Sequence, residues 1–142
     1  METQELHRGR LVDHIQLVVR DLPASQRFYE AVLDTLGVPL GGKGEGFFWA
    51  DELFVSTADS KAAQGHLTGR VHLAFQAKDR AAVDAFHRAA LTHGGRDNGA
   101  PGERPYHPGY YAAFVIDPDG NNIEAVHHGA AQRSAASVKI TF

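Results

Sequence analysis

Displaced by 58 positions, the sequence lies over itself. His14 falls on His72, Asp21 on Asp79, Ala24 on Ala82, Phe28 on Phe86, Ala31 on Ala89, Leu33 on Leu91 and Gly37 on Gly95. Seven of the 24 positions from 14 to 37 are identical without a gap, where chance gives roughly one or two. Ile15/Leu73, Leu17/Phe75 and Arg20/Lys78 are conservative matches. A unit of about 60 residues is too small to bury a good core alone, so the two copies need each other. The 142 residues therefore read as a single domain: module one over about 11–60, module two over about 69–128, and a tail over 129–142.

Each module opens with a strand. Alternation puts Ile15, Leu17 and Val19 on one face and His14, Gln16 and Val18 on the other. In the second copy Val71, Leu73 and Phe75 share a face opposite His72, Ala74 and Gln76. A helix follows, capped by Asp21 with Pro23 in the first turn and stopped by Gly37; its counterpart is capped by Asp79 and stopped by Gly94 and Gly95. Short strands complete each copy: 46–50 and 53–57 in the first, 110–116 and 122–127 in the second. Asp117-Pro118-Asp119-Gly120 is the turn between the last two. Residues 41–46 read as a break, and 94–109 as a loop holding one short strand. Residues 138–142 form an edge strand or pack on a partner. The order is strand, helix, several strands, twice over: an α+β chain.

Composition narrows the chemistry. Hydrophobic residues make up 43% and charged residues 22%, so the chain is globular. Net charge is −3 with no long basic run, which gives no reason to expect nucleic acid. No apolar run spans a bilayer and no signal-peptide pattern opens the chain, so the expectation is a cytoplasmic protein with no membrane partner. Cysteine is absent while histidine occurs nine times. Any bound metal must therefore take His and carboxylate ligands.

In the final strand Asn122, Glu124 and Val126 share a face, and Ile123 and Ala125 meet the second helix. Glu124 then points to the side of His72, and the repeat relates His72 to His14. The expectation is that His14, His72 and Glu124 converge where the two sheets face each other. Two imidazoles and one carboxylate with open coordination positions suit a catalytic divalent ion: Fe, Mn, Zn, Ni or Co.

These features, with "YYAAFVIDPDGNNIEAV" carrying Glu124 near its end, resemble the vicinal oxygen chelate superfamily of glyoxalases, bleomycin-resistance proteins and extradiol dioxygenases. The resemblance runs from about His14 to His128. It implies two paired βαβββ modules forming a cupped mixed sheet with helices outside, a homodimer, and sites between modules, sometimes across chains. His14, His72 and Glu124 match family metal-ligand positions. The fourth protein ligand of glyoxalase I enzymes is missing: the nearest register puts Phe54 there, with Glu52 the only nearby carboxylate. A three-ligand site is more like that of extradiol dioxygenases, yet their motif tyrosine is replaced by Phe114, with Tyr110 and Tyr111 displaced from it. His107 lies at the motif distance and is the remaining acid/base candidate.

Each residue also has a plainer reading. His107 is a proton-transfer group or a loop histidine bonded to backbone. Tyr110 and Tyr111 alternate, one lining the pocket and the other the core. Phe47, Phe48 and Trp49 are a substrate wall or core. His127 and His128 lie at a fraying strand end; His7, His66, His87 and His93 are surface or helix residues; 96–98 and 103–104 are solvated loop. The functional expectation is a metal-dependent enzyme of glyoxalase or dioxygenase type. Its small-molecule substrate would chelate the metal through adjacent oxygens, with His107, Tyr110 or Tyr111 transferring protons. The alternative is a metal-independent protein that sequesters a drug-like molecule.

Overall fold

The computed structural model describes residues 5–142. In the first copy β2 (Ile15–Val19) leads into α1 (Leu22–Thr35), then β3 (Gly42–Gly44), β4 (Phe47–Ala50) and β5 (Leu53–Thr57). In the second, β6 (His72–Gln76) leads into α2 (Arg80–Thr92), β7 (Arg96–Glu103), β8 (Tyr111–Ile116) and β9 (Asn122–His127). The two four-stranded sheets have the same order, β2-β5-β4-β3 and β6-β9-β8-β7. The first strand of each runs parallel to the last, and the other neighbours are antiparallel. The α+β architecture of two βαβββ units is the one expected.

Local chemistry explains the elements. Asp21 accepts a hydrogen bond from the Ala24 amide at 3.0 Å, and Asp79 from the Ala82 amide at 2.7 Å. Each satisfies a helix N–H that has no intrahelical partner. Helix α1 buries Phe28, Tyr29, Val32 and Leu33, while α2 buries Val83, Phe86 and Ala90. These side chains join the inner faces of both sheets in one core. Burial of each large member stabilises by about 1.5–3 kcal/mol. Every sheet thus keeps one face against a helix and leaves the other free for a site.

The matched glycines Gly37 and Gly95 are kept for different reasons. Gly37 ends α1 at φ 78°, with nothing near a side chain there. At Gly95 a Cβ would lie 2.7 Å from the Phe28 ring and 2.8 Å from the Ala90 carbonyl. Here absence of a side chain lets module one press on module two.

Three segments differ from the sequence expectation. Residues 96–103 form an eight-residue edge strand rather than a loop with one short strand. Its pairing with β8 shifts register between Asp97 and Gly99 and again between Gly99 and Gly102. Bulges of this kind let an edge strand carry Gly and Pro101. The break at 41–46 contains β3, because Trp49 and Phe47 of β4 lie over it: a Cβ at Gly41 would sit 2.2 Å from the Trp49 ring and one at Gly42 2.8 Å from it. The tail strand β10 (Val138–Thr141) pairs antiparallel with an unanticipated strand, β1 (Glu5–Arg8).

The two modules are also joined by a buried polar contact. Tyr29 of α1 donates a short hydrogen bond to the carboxylate of Asp117, in the turn between β8 and β9. Asp117 is 3% exposed and Tyr29 fully buried. The same carboxylate accepts from the amides of Asp119 (2.9 Å) and Asn121 (2.8 Å) and from the Asn121 side chain (3.1 Å). Asp119 meanwhile accepts from the Arg20 amide at 3.1 Å and the Ser25 hydroxyl at 3.3 Å. Burial, then the neighbouring Asp117 charge, push the Tyr29 phenol well above its ordinary value of 10.0.

A group whose pKa is raised by folding stabilises fully below its unfolded pKa, and that contribution is lost as pH rises beyond it. Stability is therefore expected to fall above about pH 10. Tyr29→Phe should cost about 1–3 kcal/mol at neutral pH and flatten that alkaline loss. Urea unfolding of both proteins at neutral and alkaline pH checks both effects. An unchanged midpoint at neutral pH would remove the role assigned to the pair.

Candidate functional site

The register of the second sheet sets the site out in rows. Paired residues on adjacent strands point to the same face. One row reads His72, Asn122, Ile116, Arg96, and the next Ala74, Glu124, Phe114, Gly99. Both lie on the face away from α2.

Glu124 is the polar centre of that face. It is 2% exposed, yet both oxygens are engaged. His72 Nε2 lies 2.8 Å from Oε1, and the Tyr110 hydroxyl donates a short hydrogen bond to Oε2. The His72 ring is about half exposed and sits 5.9 Å from the Phe114 ring. Arg104 stands 5.4 Å over the other ring's centre, that of Phe114. Desolvation and the bond to Glu124 push the Tyr110 phenol up to about 12. At neutral pH Tyr110 is thus a neutral donor that holds the carboxylate in place.

The structure divides the two tyrosines. Tyr111 donates to Asp84 of α2 at 2.7 Å, under the guanidinium of Arg80 4.6 Å from its ring. It belongs to the helix-covered face, opposite Glu124. The hydrogen bond to Asp84, ahead of desolvation, raises its pKa.

His107 lies beside Tyr110, ring centres 5.3 Å apart. Its Nδ1 is 2.9 Å from the Pro108 carbonyl, and its Nε2 is 2.9 Å from His128 Nδ1. A carbonyl only accepts, so neutral His107 carries its proton on Nδ1 and accepts at Nε2. His128 then donates from Nδ1 and keeps a lone pair on Nε2. The two rings stack at 5.1 Å, with Tyr110 edge-on to His128 at 5.4 Å. His128 is therefore a site residue that the fraying-end reading passed over. The available signal was parity: it lies four residues beyond Glu124, on the same face of an extended chain.

His14 lies elsewhere. It precedes β2 and lines a depression of about 240 Å³ with Arg8, Trp49, Asp51 and Phe54. Its Nδ1 is 2.7 Å from Asp13 Oδ1, an arrangement that fixes a histidine tautomer and leaves Nε2 free to ligate. This hydrogen bond lowers the Asp13 pKa. The position matching Glu124 in this sheet is Phe54, paired with Gln16 and stacked on Phe47 at 5.4 Å. The register thus places Phe54 at the position equivalent to Glu124, since Gln16 pairs with Phe54 as Ala74 pairs with Glu124.

A divalent ion holds nitrogen and oxygen ligands at about 2.1 Å, so neighbouring ligands lie about 3 Å apart. The 2.8 Å between His72 Nε2 and Glu124 Oε1 fits two such ligands. Among the described residues no cluster of three or more His, Cys, Asp or Glu side chains could hold an ion. One chain therefore brings together two of the three expected ligands, and His14 remains on the other sheet.

With that geometry established, similarity to known proteins is informative. The family model described as Glyoxalase/Bleomycin resistance protein/Dioxygenase superfamily matches residues 11–125. A crystal structure of a glyoxalase/bleomycin resistance protein from Albidiferax ferrireducens T118 is 31% identical, with a TM-score of 0.67 over 82% of this chain and 98% of that one. A glyoxalase/bleomycin resistance protein/dioxygenase family enzyme from Burkholderia phytofirmans PsJN is 22% identical (TM-score 0.65, 82% and 97% covered). Lactoylglutathione lyase from Agrobacterium tumefaciens is 20% identical (TM-score 0.59, 83% and 93% covered). The last two share the fold. No curated protein matches the sequence. No helix among the described residues is long and apolar enough to cross a membrane.

The Tyr110–Glu124 contact is directly measurable. Ultraviolet titration of phenolate absorbance should show a component near pH 12 that disappears in Tyr110→Phe. Glu124→Gln removes the charge that holds the phenolic proton, so the same component should move to lower pH. A component that stays in place in Glu124→Gln would refute the contact.

Proposed function

The chain belongs to the glyoxalase/bleomycin resistance protein/dioxygenase superfamily, and from that premise we propose a metal-dependent enzyme whose substrate meets a divalent ion through two adjacent oxygens. The observation that carries this reading is the approach of His72 Nε2 to Glu124 Oε1 on an open sheet face. His72, Glu124 and His14 would hold the ion, which would supply Lewis acidity toward the substrate oxygens. The ligand set admits Fe, Mn, Zn, Ni or Co. Because His14 lines a separate depression, the complete set takes His14 from a second copy in a homodimer. Such a closed two-fold pair makes two equal sites.

The remaining groups have distinct tasks. Tyr110 holds Glu124 oriented and neutralises none of its charge, so the carboxylate remains an anionic ligand. The exposed lone pair of His128, backed by His107, is placed to accept a proton from bound substrate. Trp49, Phe47 and Phe54 offer an apolar wall on the opposing sheet. That wall also favours a second reading, metal-independent binding of a small apolar molecule, since aromatic surface alone can supply the affinity.

Metal titration separates the two. Protein purified without affinity nickel and stripped by chelator should take up one Mn, Zn, Ni or Co ion per chain. Glu124→Gln should lose that uptake, and stoichiometric binding by the variant would sink the ligand assignment. In a 1:1 mixture of His14→Ala and His72→Ala chains, exchange should restore about a quarter of the sites. No restoration would place all ligands within one chain. Wild-type protein that takes up no metal would leave the small-molecule binder as the function.

A further inference from the structure

We propose that the site includes an anion subsite, in which Arg96 and Arg70 receive a carboxylate or phosphate group of the substrate beside His72. The position of that group relative to a metal rests on the function proposed above; the subsite itself does not.

The subsite lies at the edge of the same sheet face. An open depression of about 540 Å³ is lined by Arg70, Val71, His72, Arg96, Ile116, Gly120 and Asn122. That volume suits a small organic ligand. The register explains the lining: His72, Asn122, Ile116 and Arg96 form one continuous row across the four strands. Arg70 enters from the segment just before β6. The row adjacent to it contains Glu124, so a ligand spanning both rows touches the two guanidinium groups and the His72–Glu124 pair together.

Charge makes the case specific. The chain carries net charge −3, yet this depression has two arginines, one histidine and no acidic side chain in its lining. The nearby carboxylates are all engaged elsewhere. Asp117 is buried and accepts from Tyr29, Asn121 and two amides. Asp119 faces α1, bound to the Arg20 amide and Ser25. Asp97 points to the opposite side and pairs with His87 at 2.9 Å. Glu124 is held by His72 at one oxygen and by Tyr110 at the other. Among the described residues neither Arg70 nor Arg96 has an ion-pair or hydrogen-bond partner. Asn122 adds a polar group to the lining, its Oδ1 accepting from the Asn98 side-chain amide at 3.1 Å. Unpaired guanidinium groups around a concave, acid-free surface recognise planar or tetrahedral oxyanions by paired N–H donors. The substrate class is thus a small organic acid or phosphate ester.

The test uses full-length protein stripped of metal by chelator, titrated with malonate and with inorganic phosphate and followed by amide NMR shifts. Saturable shifts should centre on Val71, Gly120 and Asn122. Arg96→Gln and Arg70→Gln should each weaken binding roughly tenfold, with Arg96→Lys intermediate. The ratio of malonate to phosphate affinity identifies which oxyanion the subsite prefers. Arg27→Gln, on the exposed surface of α1 and outside this depression, should leave anion affinity unchanged. Saturable anion binding that survives in chain unable to take up metal supports the subsite even as it defeats the metal-dependent function. Shifts scattered over the surface, no saturation, or equal affinity in wild type and both Gln variants overturns the proposal.

Discussion

One buried carboxylate organises the molecule. Asp117 belongs to the turn that delivers β9 and its Glu124, and it is fixed by four donors, one of them the phenol of Tyr29 in the other half of the chain. Burying a charge without such partners costs several kcal/mol; three of the donors come from the turn itself, and the fourth, Tyr29, ties it to α1 of module one. Turn, helix and final strand are therefore assembled as a unit. Phe28 over Gly95 and the shared apolar core complete the same joint.

Much of this was legible before any coordinates. The 58-position repeat, two Asp caps and the Gly stops specify two strand–helix–strands units because each signal is local and physically direct. What escaped depended on contacts distant in sequence. Residues 41–46 look like a break because glycine weakens strands, but the aromatic rings of β4 replace the missing side chains. Residues 96–103 look like a loop because Gly and Pro interrupt them, but an edge strand tolerates such bulges. The strand β1 is held by pairing with β10, more than a hundred residues away, and no local pattern announces it. Asp117 was visible only as a turn former, since its partner Tyr29 lies in another module.

The site was legible in part for the same reason. Alternation along single strands correctly grouped His72 with Glu124 and separated Tyr110 from Tyr111, for neighbours on a sheet obey simple parity. The register likewise places Phe54 opposite Gln16, the position equivalent to Glu124 opposite Ala74. Symmetry between the copies was a weaker guide. It relates His14 to His72 without saying that the two sheets of one chain close upon each other, and here the two histidines line different depressions. His128 and Arg96 were hidden by being assigned to a strand end and a loop. Cross-strand registration puts Arg96 beside the others, while for His128 the signal was its parity with Glu124.

The division of each sheet into a helix-covered face and an open face has an evolutionary consequence. Residues such as Ile123, Ala125 and Val115 answer to the requirement of folding, while their immediate chain neighbours Glu124, Phe114 and Asn122 answer to whatever enters from solvent. Alternate codons along one strand are thereby subject to separate selective pressures. New specificities can be sampled at Ala74, Phe114 or Arg96 with little penalty to the interior, which makes this scaffold a permissive ancestor from which dissimilar chemistries can descend.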